Sequence, residues 1–520
     1  WEVMGATSYA LIGFHWRDEP RLSAGAIAYL TTRAADLGLY AAAAAALAGG
    51  HGLALAALPD ADGGWLHVAA AGVRRVPRRV ASRSSAAPPR LVLICARRPR
   101  RGAAAVAVLV AALGKAAQLP FSFWLSRAMQ GPSPVSALLH SAAMVAMGGY
   151  LLLRTAPLLQ ASGWGGITAA WIGAGTALLL GAVALAQRDL KQLLAASTSA
   201  QLGFVVLAAG MSAVAGGAAH LVAHAATKAL LFLVAGAWLS ALGTKQLAAL
   251  RGAARRWPMV GVCAGVGALA LAGIAPLSLW ASKDAVLAAA RERSPALYVV
   301  GLAAAALSAA YAGKILVVVW QHAPLGIEAQ FDTEERGTRR VTALERVPLA
   351  VLAPGAALLG GLALPPVAGV LGSALGEGSA PAAGPLEMTV SALLALVVLL
   401  VVWRWQVPQP QWAVDWLRLE AATHTLVVRP ALRLAELLAR FDDRVIDRAV
   451  TRVGRAGLAL GAAAARVDNG GIDAAVEALA RGVRQLGSLA RRPQTGQLHQ
   501  YYLQAAAVLA AGVVLLLFVR

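Results

Sequence analysis

The sequence predicts an all-α polytopic membrane protein, and three observations carry that expectation. Of the 520 residues, 59% are hydrophobic and only 14% charged, with mean hydropathy +0.65; a soluble chain carries roughly a quarter charged residues. Apolar runs of membrane length recur along the chain between short polar connections. One interrupted apolar segment occurs twice: Pro120, Ser122, Trp124 and Ser126 return at the same spacing as Pro276, Ser278, Trp280 and Ser282, 156 residues on. Each copy has a base beside it, Lys115 before the first and Lys283 after the second. Pro120 and Pro276 mark helix breaks, because proline inside a membrane helix frees carbonyls that neighbouring helices or water must satisfy. Paired interrupted segments point to a repeat-built transporter with its ion path near mid-membrane.

The basic residues sharpen this reading. The net charge of +21 comes mostly from loops and the C-terminal stretch, where anionic-lipid contact explains it and no nucleic-acid motif competes. There are 40 Arg and six Lys, and four of the six (Lys115, Lys228, Lys283 and Lys314) sit in or beside apolar runs. Arginine stays charged, whereas a lysine taken out of water can release its proton near neutral pH. A chain that writes nearly every other base as Arg but keeps Lys in the membrane is expected to need those sites to titrate. Lys314 is the weakest member, since it could snorkel. The two cysteines, Cys95 and Cys263, have no ligand spacing around them, so neither a disulfide framework nor a zinc or iron–sulfur motif is expected.

In chain order, residues 1–14 read as the back half of a membrane helix holding Glu2. That carboxylate is either exposed or paired with a lysine such as Lys115. The chain opens at Trp1 without a signal-peptide layout, and the expectation is a fragment lacking its N-terminus. Residues 23–49 form the next span, where Arg33 and Asp36 are i,i+3 neighbours suited to a structural ion pair. From Arg74 to Arg101 there are ten Arg and no acid, which is poor membrane material: either a solvated basic loop or text from a shifted reading frame in a GC-rich gene. Nucleotide sequence that stays in frame would remove the second reading. His140 lies in the middle of the apolar run 134–153. Residues 187–191 read as a short polar connection. In the span 214–242, His220, His224 and Lys228 fall at i, i+4 and i+8 on one helix face. Histidine titrates near physiological pH, so the three read as a proton relay, against the plainer reading of core histidines. A metal is not expected, because neither an HExxH glutamate nor a third ligand accompanies the pair. About eleven spans are expected in all. From 407 to 493 acids and arginines interleave with Leu, Val and Ala at helical period, as in an amphipathic helix along a membrane protein. Gly454, Gly457, Gly470 and Gly471 are expected to interrupt that helix. Residues 501–519 then span the membrane once more.

At these residues the chain resembles the large antiporter-like subunit L of bacterial respiratory complex I, the proton-pumping NADH:quinone oxidoreductase. The matching text is WEVMGATSYALIGF, GKAAQLPFSFWLSRAMQGPSPVSALLHSAAMV, DLKQLLAASTSAQLGF, HLVAHAATKALLFL, GIAPLSLWASKD and QTGQLHQYY. The resemblance implies two inverted five-helix repeats with broken helices, the first incomplete here, followed by a long lateral helix and a closing transmembrane helix. Residues 1–155 would then be the remainder of the first repeat, with 71–101 atypical, and 156–320 the second. Residues 321–406 would add transmembrane helices, 407–493 the lateral helix and 494–520 the closing span. By resemblance, Glu2 pairs with Lys115, and His140, His220 and His224 connect to a central Lys228. Lys283 is the second broken-helix lysine, with Asp284 beside it, and Asp36 is an aspartate near Arg33. Against the resemblance two departures are expected: the first four helices and the start of the fifth would be absent here, and the arginine-rich stretch would replace what precedes the first broken helix. The resemblance implies coupled proton translocation in a bacterial cytoplasmic membrane, alongside other membrane-arm subunits and phospholipids. FMN, iron–sulfur clusters and quinone are expected in partner subunits and no cofactor in this chain. The alternatives are the large subunit of a multisubunit sodium/proton antiporter, an inorganic-carbon uptake partner, and a brace with no ion path.

Overall fold

The long apolar runs of this chain form helices, a few of them with a side-chain cap in the first turn. The computed structural model describes residues 1–48, 99–322, 337–365, 367–377, 382–405 and 407–519. The arginine-rich stretch up to residue 98 and residues 323–336 of the polar loop lie outside the described residues. Among the described residues no strand is formed; Asp189 and Gln246 make one isolated bridge. The chain divides into two compact units, Trp1–Ala422 and Thr423–Arg520.

The first unit opens with α1 (Glu2–Ile12) and α2 (Glu19–Ala48). The first interrupted segment is α3 (Pro99–Lys115), a non-helical link through a cis Leu119–Pro120 bond, and α4 (Phe123–Ala128). Helices α5 (Ser133–Ser141) and α6 (Met144–Arg154) follow, so the apolar run around His140 is itself divided. Then come α7 (Ala156–Ala161), α8 (Gly165–Ala186), α9 (Leu190–Gly210) and α10 (Val214–Leu242). The second interrupted segment is α11 (Pro258–Ala272), a link through a cis Ala275–Pro276 bond, and α12 (Ser278–Arg293). Helices α13 (Pro295–Trp320), α14 (Ala343–Leu358), α15 (Val367–Ala374) and α16 (Pro385–Arg404) complete the main set.

Local chemistry explains the ends. Asp189 caps α9 by accepting from Gln192 N, and Thr342 with Glu345 forms a capping box on α14. Gly243 and Gly273 close α10 and α11 in the left-handed conformation. Helix α9 is the axis of the unit: every residue but Gln192 is buried, packed on α8, α10, α12 and α13. A side chain at Gly173 or Gly203 would bring its Cβ to 2.5 Å from the other's carbonyl oxygen, so the α8–α9 approach depends on small residues. At the other extreme, α16 has one fully buried residue, Ala395, and turns apolar residues such as Leu393, Leu396 and Leu400 outward, which is a lipid-facing surface.

Among the described residues, eight helices are long and apolar enough to cross a membrane, with shorter apolar helices at 103–115 and 258–272. The count is below the eleven expected: the interrupted segments are divided at their prolines into pieces shorter than a span, and α1 and α2 are not among the eight either. The second unit corrects another expectation. The chain stays helical from Thr423 to Arg491, on the order of 100 Å at 1.5 Å per residue. Gly454 and Gly457 lie inside one uninterrupted α-helix, Asp447–Val467, and Gly470 and Gly471 fall in a π-helical turn, Asp468–Asp473. A glycine costs about 1 kcal/mol against alanine in a helix, and the surrounding alanines at 456, 459 and 462–465 offset it. The closing helix is Leu498–Phe518.

Candidate ion-translocation site

The first group of ionisable residues gathers where α1, α2 and α3 meet. Lys115, the last residue of α3, is fully buried, and its Nζ lies 3.2 Å from Asp36 Oδ2 as an ion pair without hydrogen-bond geometry. Trp1 Nε1 donates to the other Asp36 oxygen at 2.7 Å, and the Trp1 ring lies 5.4 Å from the ammonium. Glu2 instead pairs with Arg33 and accepts from Tyr40 OH at 2.7 Å, at a half-exposed position. The carboxylate on Lys115 is therefore Asp36 and not Glu2, which corrects the pairing expected from the sequence. Asp36, with its short side chain, is held in the interior 1% exposed, while Arg33 is about a third exposed and reaches across to α1. Gly5 makes room, since a Cβ there would stand 3.1 Å from Lys115 Nζ.

The first break is stabilised by what it meets. Gln118 Nε2 donates to Ala116 O and to Ser199 O of α9, Leu119 N donates to Thr176 Oγ1 of α8, and Trp124 Nε1 reaches back to Gly114 O. These contacts satisfy backbone groups that Pro120 leaves without helical partners.

The second group is built on α10. His220, His224 and Lys228 are all fully buried, as their spacing on one face requires. Lys228 Nζ donates to Leu194 O at 2.9 Å and to Ser197 Oγ, both on α9. His224 stands within electrostatic reach of His140, His220, Lys228 and Lys283, and His140 within reach of Lys191 and Lys228. Among the described residues no side chain or backbone group hydrogen-bonds to a ring nitrogen of His140 or His224, and His140 packs on the Phe232 ring at 4.7 Å. Lys191 was missed by the sequence reading, which placed it in a polar connection. It is the second residue of α9, wholly buried, and its Nζ donates to Gly131 O at 2.7 Å. Its place in the first turn of an apolar helix is the signal that could have found it.

The third group surrounds the second break. Lys283 Nζ donates back across the break to Leu271 O at 2.8 Å and to Ser308 Oγ at 2.7 Å. His220 Nδ1 is 3.0 Å from Ser282 Oγ, next to Lys283 in the chain. Asp284 accepts from Ser391 Oγ at 2.6 Å, and both line a cavity with Gly273, Trp280 and Lys283. Lys314 behaves differently: its Nζ donates to Leu185 O and Gln187 O at 2.8 and 2.6 Å, capping the C-terminal end of α8. The structure thus brings His140, His220, His224, Lys228 and Lys283 into one buried neighbourhood with Lys191. Lys115 and Asp36 form a second centre, and Glu2 with Arg33 lies at its edge.

The family model described as NADH:quinone oxidoreductase/Mrp antiporter, transmembrane, matches residues 1–308. The chain is 32% identical over 320 residues to NADH-quinone oxidoreductase subunit L of Rickettsia felis, covering 62% of this chain and 46% of that one. It is also 32% identical over 355 residues to the subunit of the same name in Campylobacter jejuni, covering 68% and 54%. Among solved structures, the Mrp complex from Dietzia sp. DQ12-45-1b matches with a TM-score of 0.64 at 27% identity, covering 89% of this chain and 49% of that chain. The chain spans about half the length of the curated relatives it matches.

Proposed function

The chain belongs to the transmembrane family of NADH:quinone oxidoreductases and Mrp antiporters, and from that premise we propose that it translocates protons as a membrane subunit of NADH:quinone oxidoreductase. The observation that carries this reading is the buried neighbourhood of His140, His220, His224, Lys228 and Lys283 in an otherwise apolar interior. Ionisable groups are costly there and serve transport more often than stability. The imidazoles of His140 and His224 are buried within electrostatic reach of these lysines, and imidazole is the side chain whose ordinary titration range lies nearest neutral pH.

In this mechanism a change elsewhere in the complex alters the pairing of Lys115 with Asp36. Removing the carboxylate from a lysine in a low-dielectric site favours release of its proton. The charge imbalance passes to Lys228 and along His224 and His220 to Lys283, and Asp284 exchanges protons through the cavity beside it. Glu2 and Arg33 tune the first pair from its edge. Redox chemistry belongs to partner subunits that carry FMN, iron–sulfur clusters and quinone. Among the described residues Cys263 is the single free thiol, and it does not fit the four-thiolate set of such a cluster. The expected setting is a bacterial cytoplasmic membrane, beside other membrane-arm subunits and phospholipids.

The likeness to the Mrp complex favours one second reading, the large subunit of a sodium/proton antiporter. Co-purification with quinone-reducing subunits supports the first reading; sodium-dependent proton flux without them supports the second. Under either, Lys228→Arg should abolish proton transport in vesicles while the protein still assembles, because arginine does not give up its proton. Undiminished transport by this variant would sink the relay.

A further inference from the structure

The side chains on Lys283 from the α9 and α13 side include three that the relay does not use. Gln201, Ser308 and Tyr311 are each at most 1% exposed. Gln201 Nε2 donates to Ser308 Oγ at 2.9 Å and to Tyr311 OH at 2.6 Å, and Tyr311 OH donates to Ser308 Oγ at 3.2 Å. Ser308 Oγ donates to Leu271 O at 2.7 Å, the carbonyl that also accepts from Lys283. With Lys283 charged, the Ser308 oxygen faces three donors, from Lys283, Gln201 and Tyr311, but has two lone pairs. With Lys283 neutral, the Ser308 hydrogen can turn from Leu271 O to the amine lone pair. The two lone pairs of Ser308 are then filled by Gln201 and Tyr311, and Leu271 O keeps a hydrogen from the amine. The excess of one donor in the first state is removed in the second: one proton leaves Lys283, and Ser308, Gln201 and Tyr311 each keep theirs.

We propose that Ser308 is a positioning residue that holds Lys283 in both of its proton states, accepting from the ammonium and donating to the amine, with Gln201 and Tyr311 completing the exchange. This rests on the reading of Lys283 as a proton carrier. The other ionisable groups facing Lys283 are Asp284 beside it on α12 and His220, His224 and Lys228 on α10, so the hydroxyl cluster supplies its uncharged side.

The test is proton flux through the full chain in proteoliposomes under an imposed pH gradient, followed as a function of pH. Ser308→Ala should slow transport about tenfold, the worth of one hydrogen bond to a charged group, and displace the pH profile. Ser308→Thr, which keeps the hydroxyl, should restore both. Tyr311→Phe should show a smaller loss. A Ser308→Ala profile superimposable on wild type, or a Thr variant as slow as Ala, overturns the proposal while Lys283→Ala still abolishes flux. If Lys283→Ala leaves flux intact, the carrier reading fails and this inference falls with it.

Discussion

Lys115 shows how far a single residue's partner matters. Its ammonium is out of water, and the charge that compensates it belongs to Asp36, 1% exposed and 3.2 Å away. Removing one partner of a buried pair leaves an unpaired charge and costs about 3–5 kcal/mol. Asp36→Ala should therefore destabilise the protein by about that amount in thermal or denaturant unfolding in detergent. Glu2→Gln, at a half-exposed pair, should cost less than about 1 kcal/mol. Equal losses from the two variants would contradict the pairing. The sequence held part of this: Glu2, Arg33, Asp36 and Lys115 were all legible as ionisable residues in apolar text. Who pairs with whom was not, because i,i+3 spacing places Arg33 near Asp36 along one helix while the crossing of three helices decides what faces each side chain.

At the scale of the element, the helix that carries His220, His224 and Lys228 depends on a carboxylate from outside it. Glu377 accepts from Val214 N at 3.1 Å and from Ala215 N at 2.5 Å, at the N-terminus of α10, where free N–H groups and the helix dipole favour a negative group. Burial nonetheless pushes the Glu377 carboxyl above its ordinary range, with the two backbone hydrogen bonds pulling the other way. An acid raised on folding is protonated more readily in the folded state than in the unfolded one. Its contribution is thus most favourable below the ordinary carboxylate value and declines as pH rises through the raised one. Glu377→Gln, which keeps an acceptor oxygen, should flatten the fall of melting temperature between mildly acidic and neutral pH. Glu377→Ala should cost about 1 kcal/mol as a lost cap. A pH dependence unchanged in the Gln variant would argue against this role. Lys314 belongs to the same scale. Lys314→Met should lower stability, by about 1.5–3 kcal/mol for hydrogen bonds from a charged group, while leaving the pH profile of transport alone.

For the whole molecule, the division at Ala422 separates the unit with the buried ionisable residues from one whose long helices contribute no buried side chain. A chain ending at residue 422 should insert in membranes and give a single sharp size-exclusion peak, with the unfolding temperature of its helical core unchanged. Loss of that peak would mean that the core needs the second unit. In the second unit the period of the arginines, acids and leucines was readable as an amphipathic helix. Its continuity through Gly454, Gly457, Gly470 and Gly471 was not, since each of these glycines taken alone reads as a stop.

What the sequence determined by itself is what depends on composition and local spacing. It is a membrane protein because too few charges are present to keep it in water. Two of its helices are broken because proline cannot continue a hydrogen-bonded ladder, and His220, His224 and Lys228 share a face because a helix repeats every 3.6 residues. Tertiary structure alone decided what depends on contacts between segments far apart in the chain. It gave Lys115 to Asp36, buried Lys191, turned Lys314 into a helix cap, and assembled Gln201, Ser308 and Tyr311 around Lys283. A hydrogen bond or ion pair is fixed within a few tenths of an ångström, and only the packing of several helices against one another sets atoms to that tolerance.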